Sequence, residues 1–347
     1  MKVLIIGAGS IGNHLAQASR RMGWQVTVSD TDLEALRRMR EDIYPTRYGV
    51  WDGTIRLIDA TGCRPEIGEF DIIMIGTPPD SHTALATKAL ALKPAMLHVE
   101  KPLLAAPDDV RAFEEAVRLT PGSIVTVGYD HAVAPSVAKA LEYVRSGLIG
   151  DVLSMDVVIH ASFADIFAAH PWLASINDSY LSDWRRGGGA LQEHSHGLHL
   201  AHLFAEAAGY TSLTVRSSAL DFEVDDEGAD YDRLAHVTLQ GGDMFFVHVV
   251  EDVFTRPTRK EVHVRGSAGS IAVELTANSD VVMHRDVWGV LEKGEVFPKT
   301  RPDDFYALVQ HYDDLLAGRV QIADSPVRVE TGIEVMRYIQ EAFKKYS

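Results

Sequence analysis

The chain contains 347 residues, 46% of them hydrophobic and 24% charged, which is typical of a globular protein large enough for two domains. Its 33 basic and 49 acidic residues give a formal charge of −16, which argues against nucleic acid or an anionic membrane as a partner. Cys63 is the only cysteine, so an internal disulfide and a cysteine-based zinc site are excluded. No segment approaches the roughly 18 apolar residues that cross a bilayer. The apolar start of the chain is too short for a signal peptide, so we expect a cytoplasmic protein.

The first 30 residues predict a strand, a glycine-rich turn, a helix and a second strand. Val3–Ile6 is the first strand, and the helix covers about residues 11–22. The second strand, Gln25–Ser29, ends at Asp30. This order predicts a dinucleotide-binding turn, because the glycines let the backbone approach a pyrophosphate that the helix N-terminus attracts. Asp30 is then expected to accept hydrogen bonds from the adenosine ribose. A glycine turn without a ligand is the alternative. The turn reads Gly7-Ala8-Gly9-Ser10-Ile11-Gly12.

Strands and helices continue to alternate as far as residue 127. A buried strand at 71–75 precedes Thr77-Pro78-Pro79, and a helix is expected from residue 80 to 91. Ala95–Val99 is another apolar strand, and Glu100-Lys101-Pro102 ends it abruptly. Ligands of open parallel sheets bind beyond the carboxyl ends of the strands, where Glu100 and Lys101 project. An ordinary surface Glu-Lys step is the alternative. The pattern predicts a doubly wound parallel sheet.

The second part of the chain changes character after Gly147–Gly150. Several runs with strand-like alternation follow one another with few helical patterns between them, which predicts a large, open and mostly antiparallel sheet. Amphipathic helices are expected at 305–317 and 330–346. The acidic stretch Asp221–Asp232 is interpreted as a solvated turn. The predicted fold class is α/β, with a doubly wound parallel-sheet domain over residues 1–128 and a second domain over 129–347. The closing helices are free to pack back on the first domain.

Four motifs in this order resemble the glucose–fructose oxidoreductase, inositol dehydrogenase and rhizopine-catabolism (Gfo/Idh/MocA) family. They are Gly7-x-Gly9-x-x-Gly12, Thr77-Pro78-Pro79-x-x-His82, Glu100-Lys101-Pro102, and Gly187-Gly188-Gly189-Ala190-Leu191 opening a histidine-bearing helix. The resemblance covers about the first 200 residues. It implies an NAD(P)-dependent oxidoreductase that transfers hydride between nicotinamide and a secondary alcohol of a sugar, cyclitol or nucleotide sugar. It also implies that residues 1–128 form a Rossmann domain and that residues 129–347 form a substrate-binding and oligomerisation domain. A homo-oligomer, either a dimer or a tetramer, and a cis Lys101–Pro102 bond are further implications.

Residue roles follow from this resemblance. Lys101 and His196 are expected to flank the reacting carbinol. Glu193 is expected as a third catalytic residue that orients the His196 ring or binds the substrate directly. Glu100 is expected near the nicotinamide ribose. We expect NAD rather than NADP as the cofactor, because Asp30 repels a 2′-phosphate. No metal is expected. The predicted cofactor-binding residues are Gly7, Gly9, Ser10, Ile11, Gly12, Asp30, Thr77, Pro78, Pro79, His82, Glu100 and Lys101.

The choice of catalytic histidine stays open at this stage. The family pattern places Asp at the seventh position after the glycines and His four residues later, whereas this chain has Glu193 and then His196 after three. His199 and His194 are therefore alternative bases. Glu193, His196, His199 and His202 also recur every three residues, so on one helix they drift slowly across one face. Such a set offers a zinc site as an alternative, although one helix cannot enclose a tetrahedral ion by itself.

The segment before Gly187 is rich in aromatic residues and arginine. Aromatic faces stack on sugars, and arginine pairs with carboxylate or phosphate, so a substrate-binding role is predicted. Packing in the core is the alternative for each tryptophan. Two rival functions also remain, an NAD-dependent glycosidase of the same superfamily and a non-catalytic NAD-bound regulator. The predicted substrate-binding residues are Tyr129, His131, Trp172, Tyr180, Trp184, Arg185 and His199.

Overall fold

The computed structural model describes residues 1–62, 65–168, 170–173, 175–344 and 346, so Cys63 lies outside the described residues. They form two compact units. The first contains Met1–Leu104, Asp108–Asp130 and Pro302–Val329, and the second contains Ala105–Pro107, His131–Arg301 and the described residues from Glu330 onward. The chain thus returns to the first unit after completing most of the second. The predicted division between residues 128 and 129 stays a prediction.

A six-stranded parallel sheet forms the centre of the first unit, in the order β3-β2-β1-β4-β5-β6. All residues of β4 and β5 are buried, as expected for strands covered on both faces. The predicted doubly wound sheet is confirmed. Its strands are β1 (Lys2–Ile6), β2 (Gln25–Asp30), β3 (Arg56–Asp59), β4 (Ile72–Ile75), β5 (Met96–Val99) and β6 (Ile124–Val127).

The second unit contains an eight-stranded mixed sheet in the order β14-β13-β12-β11-β7-β10-β9-β8. Only the β7–β10 pair is parallel, so the prediction of a mostly antiparallel sheet is confirmed. Its strands are β7 (Val152–His160), β8 (Thr214–Val224), β9 (Asp230–Gly241), β10 (Phe245–Asp252), β11 (Arg259–Gly266), β12 (Gly269–Leu275), β13 (Ser279–Asp286) and β14 (Leu291–Pro298).

The helices flank these sheets. In chain order, those of the described residues are α1 (Ser10–Arg21), α2 (Leu33–Arg38), α3 (Tyr44–Tyr48), α4 (His82–Ala91), α5 (Val110–Arg118), α6 (Pro135–Arg145), α7 (Phe163–Ala168), α8 (Ala190–Glu193), α9 (His196–Ala207), α10 (Asp303–Leu316) and α11 (Val329–Phe343). Within the second unit, α6 packs on β12, β13 and β14, and α9 packs on β7 and β10. No helix among these residues is long and apolar enough to cross a membrane.

Helix α10 completes the first unit from far along the chain. It packs on α1, where the rings of His14 and Phe305 stack with centroids 4.4 Å apart. Arg21 and Asp303 form an ion pair between the same helices at 3.1 Å. The amide of Val127 at the end of β6 donates to the carbonyl of Val327 at 2.9 Å. Pro302–Val329 therefore belong structurally to the first unit.

The structure corrects the interpretation of residues 221–232 as a solvated turn. Asp221 lies in β8 and Asp230 in β9, so only the residues between these two strands form the turn. Asp232 faces the opposite way from its neighbours and is completely buried. Alternation along β9 explains the difference, because successive side chains of a strand point to opposite faces.

Candidate active site

The glycine loop between β1 and α1 forms a cradle of the kind that holds a pyrophosphate. Gly7 has a φ of +108°, and a Cβ at Gly12 would lie 1.9 Å from the Gly7 carbonyl oxygen, so this turn admits no larger side chain at Gly12. Nothing lies within 4 Å of a Cβ position at Gly9, which leaves room in front of the loop. Gly9 is also the N-cap of α1 and supplies no side-chain cap. The loop therefore fits the phosphates of a dinucleotide.

Asp30 lies beside this loop at the end of β2. Its Oδ2 accepts a hydrogen bond from the Ala8 amide at 2.7 Å, and its Oδ1 accepts one from the Asp32 amide at 2.9 Å. The carboxylate is thus fixed next to the glycine turn, where the sequence places an adenosine ribose. Asp32 adds a second negative charge, which pairs with Arg38 at 3.3 Å.

Arg47 lies beside the glycine loop, and the sequence analysis did not identify it. Its Nη1 donates to the Ser10 Oγ at 2.8 Å and lies 3.3 Å from Nε2 of His14. Arg47 belongs to α3, in a region where the sequence shows no clear periodicity. The only available signal was that a chain of charge −16 needs a local cation to bind a phosphate group.

The loops after β4 and β5 are joined by His82. This side chain is completely buried, with Nε2 2.9 Å from the Thr77 carbonyl oxygen and Nδ1 3.1 Å from that of Pro102. Burial lowers the pKa of His82. Because both ring nitrogens face backbone carbonyls, His82 links the loops that follow β4 and β5. Its predicted contact with the cofactor stays a prediction.

The Glu100-Lys101-Pro102 motif lies at the carboxyl end of β5, where the sequence analysis expects it. The Lys101–Pro102 peptide bond is cis, which confirms that expectation, and Lys101 is half-buried. Glu100 is only 4% exposed. Its Oε2 accepts the Lys101 amide at 3.2 Å, and its Oε1 lies 3.3 Å from Nε2 of His98.

The histidine-bearing segment of the second unit is broken in two. Helix α8 ends at Glu193, and α9 begins at His196. Between them, the Ser195 amide donates to the Gln192 carbonyl and the Gly197 amide to the His194 carbonyl, both across three residues instead of four. The expectation that Glu193 and His196 share one continuous helical face is therefore wrong, because this tighter turn interrupts the helix.

The three candidate bases occupy different environments. His194 is buried, and its Nε2 lies 3.1 Å from the Ala161 carbonyl oxygen. His199 is 1% exposed. His196 is half-buried and stacks on His131, with ring centroids 4.3 Å apart. The Lys260 ammonium in turn donates to Nε2 of His131 at 3.0 Å.

The alternative zinc site does not form within the described part of the chain. Glu193, His196, His199 and His202 do not bring their ligand atoms together into one set there. Nδ1 of His202 lies 2.8 Å from the Tyr338 hydroxyl, in a buried contact with α11. The break between α8 and α9 removes the shared face on which that alternative depended.

The predicted substrate residues fall into two groups. Tyr180 donates to Oε2 of Glu193 at 3.1 Å, so one aromatic side chain touches the predicted third catalytic residue. Arg185 is half exposed and pairs with Asp230, and Trp172 contacts the ring of His170 edge-on. Three others are buried, and His199 is one of them. Trp184 stacks on Phe343 with ring centroids 4.9 Å apart, and Tyr129 is completely buried.

Asp232 is a second residue that the sequence analysis missed. Its Oδ2 accepts the Leu191 amide at 2.8 Å, at the start of the short helix that carries Glu193. Complete burial raises the pKa of Asp232 to about 8. A hydrophilic residue in an acidic stretch gives no sign of such burial in a single sequence.

Comparison with known proteins assigns the N-terminal part of the chain. Residues 1–129 match the family model GFO_IDH_MocA, described as the oxidoreductase family with an NAD-binding Rossmann fold. The predicted resemblance is confirmed over these residues: residues 1–129 are similar to the Gfo/Idh/MocA oxidoreductases. No curated protein matches the chain.

Solved structures resemble the whole chain at low sequence identity. A mutant of KijD10, a 3-ketoreductase from Actinomadura kijaniata in complex with TDP-benzene and NADP, has a TM-score of 0.74 at 16% identity, covering 99% of this chain and 97% of that one. A putative myo-inositol dehydrogenase from Sinorhizobium meliloti 1021 has a TM-score of 0.71 at 20%, covering 99% and 98%. An oxidoreductase from Agrobacterium radiobacter in complex with NAD+, L-tartaric acid and magnesium has 0.72 at 17%, covering 99% and 95%. At these identities, the similarity shows the shared fold.

Proposed function

We propose that this protein is an NAD-dependent dehydrogenase acting on a secondary alcohol of a sugar, cyclitol or nucleotide sugar. The observation that carries the proposal is the cradle formed by Gly7, Gly9 and Gly12 with the Asp30 carboxylate fixed beside it, in a domain of an NAD-binding oxidoreductase family. Nicotinamide, when bound, supplies the hydride acceptor. The remaining steps are assigned to side chains of this chain.

Two acidic side chains support the preference for NAD over NADP. Asp30 ends β2 and Asp32 follows two residues later, where it pairs with Arg38. A 2′-phosphate at the ribose would meet the negative charge of Asp30 first. Relatives in complex with NADP and with NAD+ both exist among the similar folds, so the preference rests on these side chains.

Lys101 and His196 are proposed to divide the proton chemistry. The Lys101 ammonium holds the substrate hydroxyl and stabilises the negative charge that develops on its oxygen. His196 removes the hydroxyl proton, a task that suits imidazole because its unperturbed pKa is about 6.5. Glu193 binds the substrate beside Tyr180, whose hydroxyl it already accepts.

The exposure of the three histidines supports His196 as the base. A base must reach a proton on a ligand that enters from solvent, and of the three only His196 is not buried. His194 and His199 lie inside the second unit. His131, which stacks on His196, is proposed to fix the plane of its ring.

The substrate class rests on the exposed polar and aromatic side chains and on the names of the relatives. A polyhydroxylated ring offers hydroxyls to Glu193 and Tyr180, which already contact each other. We propose that Arg185, which pairs with Asp230, also pairs with an anionic substituent of the substrate. Similar folds include a 3-ketoreductase with a TDP ligand and a putative myo-inositol dehydrogenase. We further propose that the protein assembles as a dimer or tetramer, in keeping with the role that the resemblance gives to the open sheet.

A substrate screen tests the proposed activity. Polyols, aldoses, cyclitols and nucleotide sugars are incubated with NAD+ or NADP+, and the absorbance of reduced nicotinamide is followed. Net NADH formation with one of these classes supports the proposal. Cleavage of a glycoside without net NADH would instead indicate the glycosidase, and NAD binding without any turnover would indicate the regulator.

Three matched variants test the choice of base. Under saturating NAD, His196→Asn is expected to lower kcat by roughly two to four orders of magnitude. His194→Asn and His199→Asn are expected to retain far more turnover. Near-normal kcat in His196→Asn, with loss of activity in either of the others, would show that another histidine is the base.

A further inference from the structure

A chain of three buried polar side chains runs behind the predicted cofactor edge of the first unit. His98 and Tyr312 are completely buried and Glu100 is 4% exposed. The Tyr312 hydroxyl lies 2.6 Å from Nδ1 of His98, and Nε2 of His98 lies 3.3 Å from Oε1 of Glu100. Burying polar groups is costly unless they are hydrogen-bonded, so a buried arrangement of this kind calls for a reason.

The donors and acceptors determine the direction of both hydrogen bonds. An ionised carboxylate only accepts hydrogen bonds, so Nε2 of His98 carries the hydrogen that points to Glu100. The other ring nitrogen, Nδ1, is then an acceptor and receives the Tyr312 hydroxyl hydrogen. Burial, together with the nearby negative charge of Glu100, raises the pKa of Tyr312 well above its ordinary value, so the phenol remains a donor.

The Glu100 carboxylate, the last of these three hydrogen-bonded groups, has little rotational freedom. Its second oxygen accepts the Lys101 amide at 3.2 Å. On the other side, a Cβ at Gly128 would lie 2.6 Å from the Glu100 carboxylate, so the carboxylate packs directly on the Gly128 backbone. Glu100 is thus held from three directions at the carboxyl end of β5.

We propose that His98 and Tyr312 are positioning residues that orient the Glu100 carboxylate toward a vicinal diol, the ribose hydroxyls next to the nicotinamide. This inference rests on the proposed function. A pre-oriented carboxylate binds such a diol without first losing its own rotational freedom, so the relay contributes to cofactor affinity. Tyr312 comes from α10, which places a determinant of cofactor binding more than 200 residues away from the motif that it serves.

The chain contains a matched control for this relay. Tyr338 and His202 form a second buried tyrosine–histidine contact, with the hydroxyl 2.8 Å from Nδ1, in the second unit. Tyr338→Phe removes the same kind of hydrogen bond as Tyr312→Phe, away from Glu100. Both variants keep the ring and its packing, so a general cost in stability affects both.

The first measurement needs no cofactor. Nitrogen-15 NMR of the imidazoles in the cofactor-free protein is expected to show His98 as the Nε2–H tautomer, with its signal identified by its loss in His98→Asn. Tyr312→Phe is expected to shift this signal, and Tyr338→Phe is expected to leave it unchanged. An Nδ1–H tautomer at His98, or a signal unaffected by Tyr312→Phe, would overturn the relay.

The second measurement is the dissociation constant for NAD+, determined by calorimetry. Tyr312→Phe is expected to weaken binding by about two- to tenfold, because the released Glu100 carboxylate then has to be ordered when the cofactor binds. Tyr338→Phe is expected to bind as the wild type does, and kcat at saturating NAD+ is expected to change less than twofold in both. Wild-type affinity in Tyr312→Phe would overturn the relay alone, whereas a wild-type protein that binds no NAD+ or NADP+ would overturn the proposed function and the relay with it.

Discussion

Asp232 makes the stability of this protein depend on pH in an unusual direction. Its carboxyl is completely buried, accepts the Leu191 amide at 2.8 Å, and has its pKa raised by burial to about 8 from an ordinary value of 3.8. The folded state therefore holds a proton that the unfolded state releases. Stability associated with this group is fully present below about pH 4 and is lost as the pH rises towards 8. Asp232→Asn keeps an oxygen for the Leu191 amide but carries no titrating proton.

The size of the effect follows from the two pKa values. Between them, each pH unit lowers the free energy of unfolding by about 1.4 kcal/mol. From pH 5 to pH 7 the wild type is expected to lose roughly 2–3 kcal/mol relative to Asp232→Asn. This loss is a large fraction of the 5–15 kcal/mol that stabilises a typical domain.

Urea unfolding followed by circular dichroism at pH 5, 6, 7 and 8 measures the difference. Asp226→Asn is the matched control, since it removes the same charge from the exposed turn of the same hairpin. The free energy of unfolding of Asp232→Asn minus that of the wild type is expected to rise with pH. The corresponding difference for Asp226→Asn is expected to stay constant. If the first difference stays constant or falls as the pH rises, Asp232 is ionised in the folded protein.

Three further predictions concern the cofactor loop and the core. Asp30→Ala should lower kcat/KM with NAD by at least about tenfold and reduce the preference over NADP, because it removes both the ribose acceptor and the charge that repels a 2′-phosphate; unchanged kinetics with both cofactors would argue against this role. Arg47→Met should raise the Kd for NAD+ by about tenfold, as expected for one charge-assisted hydrogen bond to a phosphate, and calorimetry measures it. Lys299 pairs with the buried Asp280 at 2.8 Å, so Lys299→Met should lower the free energy of unfolding in urea by about 3 kcal/mol. The exposed Lys344→Met is the control and should lower it by less than about 1 kcal/mol.

The first unit could be predicted largely from the sequence because its signals are local. Strand β6 has the predicted bounds, Ile124–Val127, and the glycine turn is followed directly by α1. Apolar runs that end in glycine, proline or charge are enough to locate strands buried on both faces. The sequence could not reveal that Tyr312 is the hydrogen-bond partner of His98 in β5, because more than 200 residues separate the two.

The second unit shows where local patterns fail. Strands β13 and β14 were not predicted, because the buried face of β13 carries Asp280 and His284 while β14 is mostly exposed. Asp280 is acceptable inside only because Ser136 and Lys299 reach it from other parts of the chain. In the segment that carries Glu193 and the histidines, the spacing predicted one helix, whereas tight turns divide it into α8 and α9.

The return of residues 302–329 to the first unit has a consequence for how the protein is made. A ribosome releases the six strands of the parallel sheet early, but α10, which covers α1 and carries Tyr312, emerges only after nearly the whole second unit has been synthesised. Until then, the surface that α10 later covers stays open to water, and chains in this state are prone to aggregate. Most of the second unit, His131–Arg301, is synthesised as one continuous segment before α10. A fragment ending near residue 130 is therefore expected to be poorly soluble, and supplying residues 302–329 as a fused segment is expected to restore it.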